Sequence, residues 1–127
     1  MITKIDSIIN DVIVREGGFV DHPNDKGGAT MYGITIQTLR AWRNDNTLVA
    51  KSILSLSKDE AREIYKQEYF IKPKINLIPD SGLMALVFDM AVHSSPATAI
   101  RVLQRAVGAK DDGILGAVTL GLLKPRS

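Results

Sequence analysis

The sequence predicts a mainly α domain of the α+β class, with several helices and one small β-hairpin. Apolar residues recur at helical spacing in several segments, and capping residues, glycines and prolines separate these segments. One short stretch, residues 27–36, carries β-prone residues instead. The chain has 127 residues, of which 45% are hydrophobic and 24% charged. This composition is typical of a soluble globular protein, and the length is that of one ordinary domain.

The first half of the chain divides into four predicted helices and the hairpin. A helix is predicted over residues 3–15, because apolar residues there share one face. Thr35 is placed to cap a second helix that stops at 44–46, and a short helix is predicted over 47–54. Ser57 and Glu60 have the spacing of a capping box, which predicts a helix from 57 to about Tyr69. The residues on the face of the first helix are Ile5, Ile8, Ile9, Val12 and Ile13.

The second half begins after a break at residues 72–80, where Pro73 and Pro79 exclude a continuous helix. We therefore expect two lobes, residues 1–79 and 80–127. Residues 83–92 are apolar nearly all round, which predicts a buried central helix. Pro96 is placed to begin a further helix that Gly108 ends, and residues 111–120 read as a turn and a short helix.

Composition also excludes several kinds of partner and cofactor. The net charge of +2 does not indicate a nucleic-acid surface, and without cysteine there is no thiolate metal site. The acidic residues near position 24 lack the spacing of a calcium loop. We expect no metal, no cofactor and no stable membrane insertion, since no apolar run reaches membrane-spanning length. No signal peptide is recognisable, so an extracytoplasmic substrate requires a holin or another export route.

The candidate catalytic residues lie in a stretch that starts at Glu16. This glutamate falls where the first helix meets Gly17-Gly18, at the negative end of the helix dipole, which disfavours a further negative charge. Asp25 follows nine residues later, and Thr30 comes after a second glycine pair. This is a plausible layout for a general acid with a partner carboxylate. From these residues alone, Glu16 is equally well an exposed glutamate, Asp25 a turn residue and Thr30 a strand residue.

The same stretch resembles glycoside hydrolase family 108. Members are phage and prophage endolysins with a lysozyme-like fold, described as N-acetylmuramidases and also as secretion activators. The second half resembles the start of the family's C-terminal peptidoglycan-binding region, and the chain ends short of the family's usual extent. The resemblance rests on Glu16-Gly17-Gly18, residues 24–30 and 32–35, Ile64-Tyr65, Tyr69-Phe70, and residues 88–92, 99–108 and 112–120.

The resemblance implies roles for individual residues. Glu16 is then the catalytic acid, and Asp25 the base or electrostatic partner. Thr30 helps to hold the attacking water. We expect Tyr32 and Tyr69 to contact sugar rings, although aromatic residues at such positions also serve packing. Asp89 is named as a substrate contact, and its alternative, which its place in an apolar helix favours, is a buried partner that caps a helix or pairs with a basic side chain.

Two functions from different classes are compatible with these residues. The first is a monomeric muramidase that cleaves the β-1,4 bond between N-acetylmuramic acid and N-acetylglucosamine in peptidoglycan glycan strands. It would be made in the bacterial cytoplasm and act in the periplasm or wall after release. The second is a non-catalytic, peptidoglycan-binding or secretion-associated protein of the same fold. Only the first uses Glu16 and Asp25 together.

Overall fold

The computed structural model describes residues 3–21 and 28–123, and the chain divides into two compact units, residues 1–64 and residues 65–127. We refer to them as the N-terminal unit and the C-terminal unit. The predicted boundary between two functional lobes lies after residue 79, and it remains a prediction. The predicted fold class is confirmed: the described ranges are mainly helical, with one antiparallel hairpin in the N-terminal unit. No helix within them has the length and hydropathy needed to cross a bilayer.

The N-terminal unit starts with α1, Lys4–Glu16. Its first turn is closed by a capping box: the Asp6 N–H donates to the Thr3 hydroxyl (3.1 Å), and the Asp6 carboxylate accepts from the Thr3 N–H (3.2 Å). The predicted apolar face buries Ile9, Val12 and Ile13. α1 packs against α3, Lys58–Ile64. The buried face therefore fixes the position of the helix that ends at Glu16.

The hairpin consists of β1, Thr30–Met31, and β2, Ile34–Thr35, with Thr30 opposite Thr35. Both turn residues have positive φ, 54° at Tyr32 and 81° at Gly33, as a two-residue type I′ turn requires. The Thr35 hydroxyl then accepts from the Thr38 N–H (3.2 Å) and caps α2, Ile36–Arg43, as predicted. The predicted helix over 47–54 forms as a 3₁₀ helix, Ala50–Ser55.

The predicted capping box of α3 forms in one direction only. The Ser57 hydroxyl accepts from the Glu60 N–H (3.1 Å), as expected. The Glu60 carboxylate binds the Arg43 guanidinium instead, with Nε–Oε2 and Nη2–Oε1 distances of 3.0 and 2.6 Å. A bidentate, charge-assisted pair is stronger than a single bond to a backbone N–H. The hydrogen bond from Arg43 also holds the pKa of the Glu60 carboxyl below its usual range.

The C-terminal unit starts with a π-helix, Tyr65–Ile71, where the sequence predicted α-helix as far as Tyr69. The Lys72 N–H donates to the Gln67 carbonyl five residues earlier (2.9 Å), which is the π-type bond. Tyr65 and Phe70 both contact the ring of Phe88, at centroid distances of 5.7 and 4.3 Å. The aromatic residues of this turn are therefore part of the core of the unit.

The break at residues 72–80 contains a second 3₁₀ helix, Ile75–Leu77, and is followed by α4, Ser81–His93. The helix predicted to be buried and central is buried on one face only, because Leu86 is 58% exposed. One face packs on the π-helix and on α5, Pro96–Val107. An apolar sequence permits full burial, but a small unit has too few elements to surround a helix.

α5 begins at Pro96 and ends at Gly108 (φ 78°), as predicted, and α6 spans Ala117–Leu122. The loop between them is held by Gln104, which is fully buried in α5. The side-chain oxygen of Gln104 accepts from the Gly113 N–H (3.0 Å). Its Nε2 lies within hydrogen-bonding distance of Asp112 Oδ1 (3.0 Å), the Ile114 carbonyl (2.9 Å) and Thr119 Oγ1 (3.2 Å).

Candidate functional site

Glu16 is the last residue of α1, and the chain turns sharply directly after it. Gly17 has φ 71° and ψ −166°, and its N–H donates to the Ile13 carbonyl (3.0 Å). A glycine is favoured here because other residues are strained at positive φ. The carboxyl side chain is thus carried on a rigid helix end, at the point where the backbone leaves the helix. Glu16 itself is half-buried.

The segment that follows pairs with the strand that carries Thr30. The Val20 N–H donates to the Thr30 carbonyl (3.0 Å), and the Thr30 N–H donates to the Val20 carbonyl (2.8 Å). Thr30 therefore lies between Val20 on one side and Thr35 on the other. The structure thereby links the chain just beyond Glu16 directly to Thr30.

Asp25, the predicted base, lies outside the described residues. Of the other site predictions in the N-terminal unit, Tyr32 is half-buried at the first position of the hairpin turn. Its positive φ is uncommon for a residue other than glycine or asparagine. The catalytic role of Asp25 and the substrate contact of Tyr32 remain predictions.

A cavity of about 440 Å³ lies against the same segment of the N-terminal unit. Its size falls in the range of small-molecule sites. Phe19 is 46% exposed, so part of an aromatic ring is accessible three residues after Glu16. The sequence marks this cavity only by an aromatic residue directly after a glycine pair, and Phe19 was not among the predicted site residues. Residues that line it include Phe19, Asp21, Ala29, Lys51 and Leu54.

The two remaining predicted residues, Tyr69 and Asp89, belong to the C-terminal unit. Tyr69 is in the π-helix, with its ring edge-on to Tyr65 (5.2 Å) and Phe88 (6.4 Å). It is half-buried, so it takes part in packing while keeping an accessible surface. Packing was the alternative that the sequence left open for this tyrosine.

The burial expected of Asp89 in its alternative role as a structural partner is not found, because 41% of its side chain is exposed. Its Oδ1 lies 3.9 Å from Nδ1 of His93, one turn later on α4, and that nitrogen also lies 2.9 Å from the Asp89 carbonyl. Asp89 falls on the side of α4 away from the fully buried positions Val87 and Ala91, which explains its exposure. Its contact with substrate remains a prediction.

Among residues 3–21 and 28–123, no group of three or more histidine, aspartate or glutamate side chains is placed to hold a metal ion. The described polar groups at the end of α1 are the Glu16 carboxyl and backbone amides. Such groups can exchange a proton with a substrate oxygen and orient a water molecule.

Comparison with known proteins identifies the fold and the family of the chain. No protein of curated function matches the chain significantly. A solved structure described as Brucella abortus SagA is similar over 94% of this chain and 67% of that chain, with 39% identity and a TM-score of 0.87. The fold is thus lysozyme-like and mainly α, as predicted. The model of the family described as Glycosyl hydrolase 108 matches residues 9–94, which include Glu16, Thr30 and the hairpin. The chain therefore belongs to the glycosyl hydrolase 108 family.

Proposed function

We propose that the chain is a peptidoglycan hydrolase of the lysozyme type. It cleaves the β-1,4 bond between N-acetylmuramic acid and N-acetylglucosamine, with Glu16 as the general acid. The observation that carries this proposal is the placement of Glu16. It ends a helix with a buried face, precedes a positive-φ glycine, and is followed within four residues by backbone pairing to Thr30. Family membership adds the reaction class, hydrolysis of a glycosidic bond.

The chemistry requires a proton donor and a second carboxylate. As the glycosidic bond breaks, the leaving oxygen takes a proton from Glu16, while positive charge develops at the sugar ring. Asp25 is proposed as the base or electrostatic partner, and the Thr30 hydroxyl as a group that orients the water. The rigid helix end matters because general acid catalysis needs the donor within hydrogen-bonding distance of the oxygen it protonates.

The cavity beside Phe19 is proposed as part of the glycan site. The C–H groups on one face of a pyranose carry partial positive charge and are attracted to the negative face of an aromatic ring. Phe19 offers such a ring, Leu54 extends the apolar surface, and Asp21 and Lys51 can bind sugar hydroxyls at the edges. Tyr32 is proposed as a further contact with the glycan strand. Tyr69 and Asp89 are proposed as glycan contacts of the C-terminal unit.

The test is to digest purified peptidoglycan, reduce the products with borohydride and identify the reduced ends by mass spectrometry. Reduced N-acetylmuramic acid ends are expected. Reduced N-acetylglucosamine ends would indicate a glucosaminidase, and free peptides without new reducing ends would indicate an amidase. Binding without any released product would contradict the proposal and favour the non-catalytic alternative. Glu16→Gln, purified in parallel, controls for contaminating hydrolases.

A further inference from the structure

The C-terminal unit contains a cavity of its own, with a volume of about 340 Å³. It is lined by residues from the end of the π-helix, the start of α5 and the loop that Gln104 holds. All of the lining residues fall within residues 65–127, and none of the predicted site residues is among them. The volume is sufficient for an amino-acid side chain with its neighbouring peptide groups.

The cavity combines an apolar floor with a charged rim. Ile100 and Leu115 are buried lining residues, and Pro73 adds a rigid apolar wall. Glu68, Lys72 and Lys74 contribute the charged groups. Such a surface suits a ligand that has a small apolar part beside a charged end, because each part then meets a matching environment.

The charges on the rim do not cancel. Lys72 Nζ lies 2.6 Å from Glu68 Oε1, so these two side chains neutralise each other. Lys74 has no ion pair or side-chain hydrogen bond within residues 3–21 and 28–123. One positive charge is therefore in excess at the mouth of an apolar cavity, which favours a singly charged anion.

Lys74 also occupies a backbone conformation that is costly for a lysine. Its φ is +66°, and its N–H donates to the Ile71 carbonyl (3.0 Å) in a tight turn. Glycine adopts this conformation freely, whereas other residues are strained in it. A lysine at this position thus costs stability that a glycine would not.

We propose that this cavity binds the carboxylate end of a short peptide, with Lys74 contacting the carboxylate and Ile100 and Leu115 contacting a methyl-sized side chain. The occupant is the peptide stem of the wall polymer, and in naming that polymer the inference rests on the proposed function. A phosphate group fits less well, because its additional oxygens would meet the apolar floor and the second charge of a dianion would have no cationic partner beside Lys74.

The experiment is an NMR titration of the isotope-labelled chain with a synthetic stem tetrapeptide, L-Ala-γ-D-Glu-L-Lys-D-Ala, and with its C-terminal amide. We expect the methyl signals of Ile100 and Leu115 to shift with the free acid and much less with the amide. An absence of methyl shifts, or equal affinity for acid and amide, would overturn the proposal. Tighter binding of a glycerol phosphate oligomer would overturn it in favour of a phosphate site.

Two variants separate binding from folding. Lys74→Met should weaken binding of the free acid about fivefold, the value of one partly exposed charge pair. Lys74→Gly should weaken binding equally while raising the melting temperature, since the positive φ no longer costs energy. Lys66→Met, at an exposed lysine of the π-helix that is not among the lining residues, is the control and should bind as the unaltered chain does. Unchanged affinity in both Lys74 variants would contradict the proposal.

The tetrapeptide contains no glycosidic bond, so its binding does not depend on hydrolysis. If the chain released no glycan fragments but bound the tetrapeptide through Lys74, the proposed function would fail and the peptide site would stand. If it released muropeptides but left the methyl signals unmoved, the peptide site would fail alone.

Discussion

The two units each fix a polar segment, and they do so by different means. In the N-terminal unit the segment directly after Glu16 is joined to β1 by backbone hydrogen bonds between Val20 and Thr30. In the C-terminal unit the loop between α5 and α6 is held by one buried side chain, Gln104. Backbone pairing does not depend on side-chain identity, so the N-terminal segment can hold catalytic side chains at little cost in the free energy of unfolding. A loop held by one glutamine depends on that residue.

This difference predicts that substitutions in the N-terminal loop region change activity, whereas substitutions around Gln104 change stability. The largest effect is expected for Glu16→Gln. The amide keeps the shape of the side chain but cannot donate the acid proton, so hydrolysis should fall by roughly 10²- to 10⁴-fold. Turbidity decrease of peptidoglycan gives the rate, and the melting temperature should be nearly unchanged. A variant that kept most of its activity would remove Glu16 from the acid role.

The second-largest effect is expected at Gln104, where a substitution should lower stability and leave hydrolytic activity unchanged. Gln104→Leu removes a buried hydrogen-bonding group and leaves the Gly113 N–H and the Ile114 carbonyl without their partner. The cost should be about 2 to 4 kcal/mol in the free energy of unfolding. Urea denaturation measures it, and Gln37→Leu on the exposed side of α2 is the control. Equal stability of the two variants would show that the loop is held by other contacts.

Much of the fold follows from the sequence because its signals are local. The helical spacing predicted α1, and Pro96 with Gly108 predicted both ends of α5. Gln104 was not singled out, because its partners come 8 to 15 residues later and no local pattern marks them. The π-helix was missed because over seven residues it differs from an α-helix in its hydrogen-bond partner rather than in composition.

Less of the candidate site than of the fold could be predicted from the sequence. The position of Glu16 followed from a helix stop that the sequence shows plainly, and the hairpin placed Thr30. The exposure of Asp89 was not predictable, because which side of an apolar helix stays uncovered depends on the elements packed around it. The cavity at Phe19 combines the start of the loop with a 3₁₀ helix some thirty residues later, which no local pattern relates.

The third effect concerns substrate affinity in the N-terminal unit. Phe19→Ala should weaken binding of a soluble glycan fragment about threefold to tenfold, the usual value of one aromatic contact. Calorimetry in the Glu16→Gln background avoids turnover during the measurement. Phe19→Tyr keeps the ring and should bind normally, as should Val14→Ala at an exposed position of α1. Equal binding by Phe19→Ala and Phe19→Tyr would exclude the cavity from the glycan site.

The smallest effect is a response to acid that should differ between the two loops. The Ile114 N–H and then Gln104 hydrogen-bond the Asp112 carboxylate and hold its pKa below the usual value. A lowered carboxyl pKa contributes stability above the unfolded value, near 4, and this stability is lost as pH falls through the folded value. Hydrogen-exchange protection at Gly113 and Ile114 should therefore fall below about pH 4. Protection at Val20 and Thr30, whose paired groups do not titrate, should change less; an equal loss at both loops would contradict the distinction.

The π-helix has a consequence for how this chain tolerates insertion and deletion. Tyr65 and Phe70 are five residues apart yet reach the same ring, Phe88. In an α-helix, positions five apart point about 140° away from each other, given 3.6 residues per turn. Deleting one residue between them would allow α-helical winding, in which positions four apart point only about 40° from each other, so both rings could still reach Phe88. Forcing α-helical winding without a deletion would instead turn one ring out of the core. In a chimaera or a redesigned relative, this turn can therefore be one residue shorter and keep the same aromatic core.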